Sequence, residues 1–183
     1  VYGPAGAGKT TLALYMLSLR CGSCLYVSTE RLDFLRRAEQ MGLDLARLKV
    51  LEAVDYTDYG SLLTYREMPL LDAVAVDSVN AFTRMGEEAQ KYTMLLAAAL
   101  RYAAEKWGLL VVETAQVHQD PETGRLEPLL WRPLSLWADA VIEAERRPGG
   151  ERVFRVQLPE GPAATLRARL TGRGIEWLEC SHP

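Results

Sequence analysis

The spacing of apolar positions along the chain changes several times, and each change marks a predicted secondary-structure element. Some segments carry apolar residues at helical spacing, whereas short apolar runs without that spacing separate them. The predicted helices span residues 9–20, 31–41, 58–67 and 87–107. The predicted strands span residues 24–28, 49–53, 73–77 and 109–113. Because strand and helix alternate, we expect an α/β fold with a mostly parallel sheet flanked by helices.

The pattern changes after residue 113. Residues 115–136 are rich in Pro and Gly breakers and are predicted to form a long loop. Four further strands follow, and the turns between the last three are short, which is typical of hairpins. These strands are predicted at residues 140–145, 152–158, 165–170 and 174–178. The C-terminal part of the sheet is therefore expected to be antiparallel.

Composition is that of an ordinary globular protein and changes this interpretation little. The chain has 183 residues, of which 49% are hydrophobic and 25% charged, so residues 1–183 are expected to form one domain. Apolar runs are short and no signal peptide is evident, which predicts no membrane span and a cytoplasmic location. The odd count of three cysteines agrees with that location. Cys21 and Cys24 are interpreted as small, buried or half-buried residues at the start of a strand.

Charge is nearly balanced overall but unevenly distributed. The net charge of −3 argues against a strongly basic nucleic-acid-binding protein. Residues 143–173 hold seven Arg and four Glu, whereas residues 1–142 are net acidic. Any electrostatic contact with a polyanion would therefore fall in the later segment, although a solvated strand face explains the same charges.

A glycine-rich loop near the N-terminus carries the most specific chemistry in the sequence. It matches G-x-x-x-x-G-K-[ST], in which backbone N–H groups and the start of a helix surround phosphate oxygens. Lys9 is expected to reach the β- and γ-phosphates, and the Thr10 hydroxyl to bind Mg²⁺. The predicted nucleotide-binding residues are Gly3, Pro4, Ala5, Gly6, Ala7, Gly8, Lys9, Thr10 and Thr11.

Only Val1 and Tyr2 precede this loop. A strand of about five residues would ordinarily lead into it. We therefore expect that the domain lacks the strand before the phosphate loop, either because the chain is truncated or because that strand is a stub.

Acidic residues at strand ends complete the predicted site. Asp77 ends an apolar strand and is expected to share the Mg²⁺ with Thr10. Glu30 follows the strand at residues 24–28, on the edge of a parallel sheet where ligands bind, and is the predicted catalytic carboxylate. Glu113 is the second candidate for the catalytic carboxylate, although a solvated or structural acid is the favoured interpretation of this residue. Gln116 is expected to sense the γ-phosphate, unless it is an ordinary surface residue.

Together these segments resemble the RecA-like recombinases, a class of P-loop NTPases, and within them the archaeal RadA and RadB proteins. The resemblance is carried by residues 3–11, 26–30, 76–78 and 113–117. Residues 119–124, 133–145 and 174–176 are most similar to RadB-type paralogs. The resemblance implies a RecA-like core that uses ATP and Mg²⁺ in homologous recombination and DNA repair. It also implies single-stranded DNA and a recombinase or paralog as partners.

The resemblance further assigns roles to individual residues. It makes Glu30 the catalytic carboxylate and Gln116 the switch between nucleotide and DNA, with DNA loops at residues 82–91 and 117–132. The candidate DNA-binding residues are Arg84, Arg125 and Arg132. Phe82 and Trp131 could stack on bases, although packing is the favoured interpretation of Trp131.

The same comparison also shows departures from the family pattern. Ala115 stands where the family usually has Asn. The two loops carry net charges of zero and −1, which suit phosphate contact poorly. An accessory or regulatory paralog with weak DNA binding is therefore expected rather than a strand-exchange enzyme. A KaiC-like regulatory ATPase and a non-hydrolytic, ATP-dependent partner-binding module remain as alternatives.

Overall fold

Strands and helices alternate over the first two-thirds of the chain in the computed structural model, which describes residues 1–30, 32–119, 124 and 126–182. The helices are α1 (Lys9–Ser18), α2 (Asp33–Gln40), α3 (Asp58–Leu63), α4 (Glu87–Trp107) and α5 (Trp131–Leu136). The first strands are β1 (Cys24–Ser28), β2 (Leu48–Glu52), β3 (Ala73–Asp77), β4 (Leu110–Glu113), β5 (Val117–Gln119) and β6 (Leu126–Pro128). The remaining strands are β7 (Val141–Arg146), β8 (Glu151–Leu158), β9 (Gly161–Thr171) and β10 (Gly174–Ser181).

The predicted α/β architecture is confirmed. Strands β2, β1, β3 and β4 form a parallel sheet in that order. Alternate residues of β1 face opposite cores: Tyr26 packs with α1 and α2, whereas Leu25 and Val27 pack with α3 and α4. Burial on both faces explains why the central strands β1 and β3 are nearly continuous apolar runs rather than alternating ones. The C-terminal strands form an antiparallel sheet in the order β10, β9, β8, β7, also as predicted.

Val1 and Tyr2 lie between the two sheets and join them. The Tyr2 N–H donates to the Ile142 carbonyl oxygen at 2.9 Å, and the Ala144 N–H donates to the Tyr2 carbonyl oxygen at 2.7 Å. On the other side, the Ala115 N–H donates to the Val1 carbonyl oxygen at 2.8 Å. The phosphate loop therefore follows a short segment that is hydrogen-bonded on one side to residue 115, next to the parallel sheet, and on the other side to β7 of the antiparallel sheet.

The predicted long loop at residues 115–136 is wrong. Residues 117–119 and 126–128 pair as an antiparallel hairpin, and Trp131–Leu136 is a helix. The prolines were interpreted as breaks in secondary structure, but Pro128 and Pro133 occupy positions of a strand and a helix where proline is tolerated. Pro133 lies in the first turn of α5, where a backbone N–H has no intrahelical partner in any case. Pro128 ends β6 in a two-stranded hairpin.

The remaining differences concern element ends and the cysteines. β9 is longer than the predicted strand at residues 165–170, and α3 ends four residues before the predicted limit. Cys21 and Cys24 form a disulfide, with their Cα atoms 5.4 Å apart, where the sequence was interpreted as two separate small residues. None of the described helices has the length and apolar character that crossing a bilayer requires.

Candidate nucleotide-binding site

The glycine-rich loop runs from Tyr2 to the first turn of α1. Gly3 has φ +151°, and a Cβ there would lie 2.1 Å from the Ala144 carbonyl oxygen. Close approach of the loop to β7 thus requires this glycine. Gly8 precedes α1 with φ +99°, a backbone conformation that residues other than glycine rarely adopt. The loop is therefore shaped both by packing against β7 and by the curl that aims N–H groups inward.

Lys9 lies at the start of α1 and points back along the loop. Its Nζ donates to the carbonyl oxygens of Gly3 at 2.8 Å and Pro4 at 3.2 Å. Burial lowers the pKa of Lys9, while the nearby carboxylates of Asp77 and Glu30 act in the opposite direction. The structure thus brings the predicted phosphate-binding lysine close to both predicted acids.

Asp77 is the point at which the loop is joined to the sheet. Its Oδ2 accepts hydrogen bonds from the Thr10 hydroxyl and the Tyr26 hydroxyl, each at 2.6 Å. Its Oδ1 accepts a hydrogen bond from the Thr114 hydroxyl. Burial, together with the charge of Asp77, raises the pKa of the Tyr26 phenol well above its ordinary value, so Tyr26 remains a donor. Thr10 and Asp77, the predicted Mg²⁺ pair, are therefore in direct contact.

Glu30 and Gln116 are also brought together, across 86 residues of sequence. The Gln116 Nε2 donates to Glu30 Oε1 at 2.7 Å. The backbone of Gln116 is fixed by Asn80, whose Oδ1 accepts from the Gln116 N–H at 2.8 Å and whose Nδ2 donates to its carbonyl oxygen at 2.9 Å. The carboxylate of Glu30 and the amide of Gln116 thus face each other at the rim of the site. The pair of hydrogen bonds from the buried Asn80 side chain to the Gln116 backbone is called the Asn80 clamp below.

Glu113 occupies a different place from Glu30. It lines a second cavity of about 340 Å³ between β4, β7, α4 and α5, on which the phosphate loop does not border. Burial raises the pKa of Glu113 to about 7. The two competing carboxylates are thereby separated, and Glu30 alone of the pair lines the cavity at the phosphate loop.

The cavity at the phosphate loop has a volume of about 760 Å³. It is bordered by the loop, by the residues that follow β1 and β3, by residues 116–119, and by Arg152 and Leu170. Three buried polar atoms of residues on its wall, Ser78 Oγ, His118 Nδ1 and Arg152 Nε, have no hydrogen-bond partner among the described residues. Unsatisfied buried donors are costly, so a wall that carries them fits a ligand rich in acceptor oxygens.

The donor set also fits a hard cation bound together with phosphate. Among the described residues, no group of three or more His, Cys, Asp or Glu side chains could hold a metal unaided. Mg²⁺ is ordinarily held by one or two protein oxygens together with substrate phosphates, which is the arrangement that Thr10 and Asp77 offer. Thr10 and Asp77 are therefore chemically suited to Mg²⁺ that is bound together with a nucleotide phosphate.

Two of the three predicted DNA-contacting residues lie in the part of the chain that the structure describes. Arg84 is exposed in a short turn before α4, and Arg132 is exposed in the first turn of α5. Arg125 lies outside the described residues. The two aromatic candidates are engaged in packing: Phe82 lies 5.5 Å from the Tyr59 ring, and Trp131 lies 4.9 Å from the ring of Tyr2, measured between ring centroids.

Several residues of the site were not found from the sequence. Tyr26 in β1 and Thr114 directly after β4 donate to Asp77 from either side, and their role depends on strand order, which sequence spacing does not give. Asn80 could have been singled out, because it is the only Asn in the chain and lies three residues after Asp77. Arg152 is recognisable only through its burial.

The fold and this site define a RecA-like P-loop protein. The crystal structure of a RadB recombinase superposes with a TM-score of 0.76 at 28% identity, covering 97% of this chain and 89% of that one. The RadB DNA repair and recombination protein of Thermococcus kodakarensis is 30% identical over 200 residues, 98% of this chain and 89% of that protein.

A second relative gives the same result. The RadB protein of Thermococcus onnurineus is 30% identical over 198 residues, 96% of this chain and 86% of that protein. No family model matches the chain. The chain nevertheless belongs to the RadB family of DNA repair and recombination proteins, since both relatives match it over nearly its whole length.

Proposed function

We propose that this chain binds ATP with Mg²⁺ at the phosphate loop, hydrolyses ATP, and acts as an accessory rather than a strand-exchanging paralog in recombination and repair. The observation that carries the proposal is the 2.6 Å hydrogen bond between Thr10 and Asp77. It brings the loop hydroxyl and the strand-end carboxylate together in the pairing that P-loop proteins use to hold Mg²⁺. RecA-like recombinases in general use ATP and Mg²⁺.

The phosphate end of the nucleotide is the part that this loop recognises. The N–H groups at the start of α1 and the Nζ of Lys9 bind phosphate oxygens, and the dipole of α1 favours their negative charge. Lys9 exchanges its bonds to the Gly3 and Pro4 carbonyl oxygens for bonds to phosphate. Thr10 and Asp77 hold Mg²⁺, which when bound neutralises charge on the β- and γ-phosphates.

Glu30 is the residue proposed to orient and deprotonate the attacking water. It lines the phosphate-loop cavity, and its carboxylate is positioned by the Gln116 amide. Because Gln116 directly precedes the segment proposed as the second DNA loop, it is suited to couple the state of the nucleotide to that loop. The Asn80 clamp keeps the Gln116 backbone in place while its side chain changes partner.

An accessory role is supported by the charges of the candidate DNA loops. Backbone neutralisation supplies most non-specific DNA affinity, and residues 82–91 and 117–132 offer no net positive charge for it. We propose weak binding of single-stranded DNA, with a recombinase or a further paralog as the main protein partner. The full-length match to RadB relatives favours this function over a KaiC-like regulator.

The proposal is tested by the affinity for ATP of a Lys9→Ala variant, measured by calorimetry with Mg²⁺ present. Removing the loop cation should weaken ATP binding at least about tenfold. The matched control is Lys91→Ala, an exposed lysine in α4, which should bind ATP as the unaltered chain does. Equal affinity in the Lys9 variant and the control would refute the assignment of the loop. ATP binding without measurable turnover would refute hydrolysis and favour a non-hydrolytic partner-binding module.

A further inference from the structure

Arg152 is a buried cation that its protein surroundings do not satisfy. The residue is 8% exposed and lies at the second position of β8. Its Nη1 donates to the carbonyl oxygens of Gly150 at 2.6 Å and Glu151 at 3.2 Å. Its Nε has no hydrogen-bond partner among the described residues. A guanidinium has five N–H donors in a fixed fork, so the turn before β8 engages only one side of it.

The charged surroundings of Arg152 make its burial more costly still. Burial lowers the pKa of Arg152, and the nearby charge of Arg146 lowers it further. None of the ion pairs in the described part of the chain includes Arg152, although other arginines of the same sheet, Arg155 and Arg167, pair with glutamates. A buried charge without a counter-ion is strongly destabilising, so this position suits a residue whose counter-ion comes from a ligand.

The position of the guanidinium indicates which ligand. Arg152 borders the phosphate-loop cavity, and its Nε lies 3.8 Å from where a Cβ of Gly8 would stand. A terminal nitrogen of Arg146 lies 3.7 Å from the corresponding position at Gly6. Both cations therefore approach the loop at two of its glycines, and Arg152 also borders the cavity that the loop encloses. Phosphate is the one component of a nucleotide that recruits a guanidinium, an ammonium and backbone N–H groups together.

We propose that Arg152 is a phosphate-binding residue, which donates from its Nε side to a phosphate group of the nucleotide held by the phosphate loop. This inference rests on the proposed nucleotide site and adds to it a cation from the C-terminal antiparallel sheet. A nucleotide phosphate then connects α1 to β8 across the joint between the two sheets. A role limited to holding the carbonyl oxygens of Gly150 and Glu151 would use Nη1 alone and leave Nε unpaired.

The test compares nucleotide affinity between Arg152→Gln, Arg152→Lys and the control Arg173→Gln, an exposed arginine in the β9–β10 turn with the same change of charge. Calorimetry with Mg²⁺ measures binding of ADP, ATP and adenosine. Arg152→Gln should weaken ADP and ATP at least about tenfold, Arg152→Lys should recover part of that loss, and Arg173→Gln should match the unaltered chain. Adenosine, which has no phosphate, should bind all four proteins equally.

The outcomes separate this inference from the proposed function. ADP affinity within twofold of the unaltered chain in Arg152→Gln, while Lys9→Ala loses binding, would overturn the role of Arg152 and leave the phosphate loop intact. Failure of the unaltered chain to bind ADP would overturn both.

A measurement on the unaltered chain covers the case in which Arg152→Gln does not fold. The Nε–Hε resonance of Arg152, assigned by triple-resonance NMR, should shift on addition of ADP and not on addition of adenosine. A resonance that stays in place at saturating ADP would overturn the proposal.

Discussion

Asp77 shows how single residues hold the candidate site together. Three hydroxyl groups donate to its carboxylate: that of Thr10 after the glycine-rich loop, that of Tyr26 in β1 and that of Thr114 directly after β4. Hydrogen bonds to an ionised acceptor are stronger than neutral ones, so this cluster stabilises the loop against the sheet. The Thr10 hydroxyl can give up its hydrogen bond to Asp77 and bind a cation through its oxygen. Tyr26 and Thr114 meanwhile keep the carboxylate oriented.

The two competing carboxylates give a prediction at the same scale. Glu30→Gln preserves shape and the contact with Gln116 but removes the base, so ATP binding should persist and turnover should fall about 100-fold. Glu113→Gln is the matched control, because Glu113 lines the other cavity. Single-turnover hydrolysis and calorimetry measure the two quantities. Loss of turnover in the Glu113 variant with normal turnover in the Glu30 variant would show that the wrong carboxylate has been assigned.

At the scale of elements, β4 ends in a half-buried acid, Glu113, whose titration should be visible in stability. The pKa of Glu113 is raised to about 7 in the folded chain, against about 4.5 for an ordinary Glu. Between these values the folded state holds a proton that the unfolded state has released. The stabilisation from this proton is complete below about pH 4.5 and is lost as pH rises through 7, by up to about 3 kcal/mol.

Urea unfolding at pH 5 and pH 8 checks this expectation. The free energy of unfolding of the unaltered chain should fall over this interval more than that of Glu113→Gln, which has no proton to lose. Glu52→Gln, an exposed residue that ends β2, serves as the control and should follow the unaltered chain. Parallel pH profiles for the unaltered chain and Glu113→Gln would contradict the half-buried, proton-holding Glu113.

The elements that the sequence predicts well are those in which the local spacing of apolar residues alone determines the structure. β1, β3 and α4 have the predicted bounds, because their apolar runs and helical spacing are strong and local. The hairpin of β5 and β6 and the short helix α5 were missed, since three-residue strands carry too little periodicity and the prolines look like breakers. For the same reason the phosphate loop could be identified from spacing alone, whereas the Asn80 clamp and the burial of Arg152 arise from tertiary packing.

At the scale of the whole molecule, the parallel and antiparallel sheets are connected on both sides of the nucleotide site. Tyr2 pairs with residues next to β4 and in β7. On the opposite side, Arg37 of α2 donates to the Thr171 carbonyl oxygen at 2.6 Å and to the Gly174 carbonyl oxygen at 3.2 Å, in the β9–β10 turn. The phosphate loop thus lies where both sheets are tied together, which allows a bound nucleotide to affect both.

The charges of the whole molecule determine the expectation for DNA. The segment at residues 143–173 is net basic, but much of its charge is paired internally. Arg155 contacts Glu143 and Glu145, and Arg147 also contacts Glu145. Arginines that are already paired release few counter-ions when they meet phosphate, so they add little affinity. Together with the overall charge of −3, this pairing reduces the main source of non-specific DNA binding.

Binding of single-stranded DNA by the chain alone should therefore be weak and should be lost as salt rises. Fluorescence anisotropy of a labelled oligothymidine at 50 mM and 200 mM NaCl measures this, and we expect a Kd of about 10⁻⁵ M or weaker at the higher salt. A complex that remains tight at 200 mM NaCl would contradict the expectation. In that case Arg146→Gln and Arg84→Gln should be compared, because Arg146 belongs to the C-terminal sheet and Arg84 to the first candidate DNA loop. A larger loss in the Arg146 variant would place the DNA on the C-terminal sheet, away from the loops that the family resemblance implies.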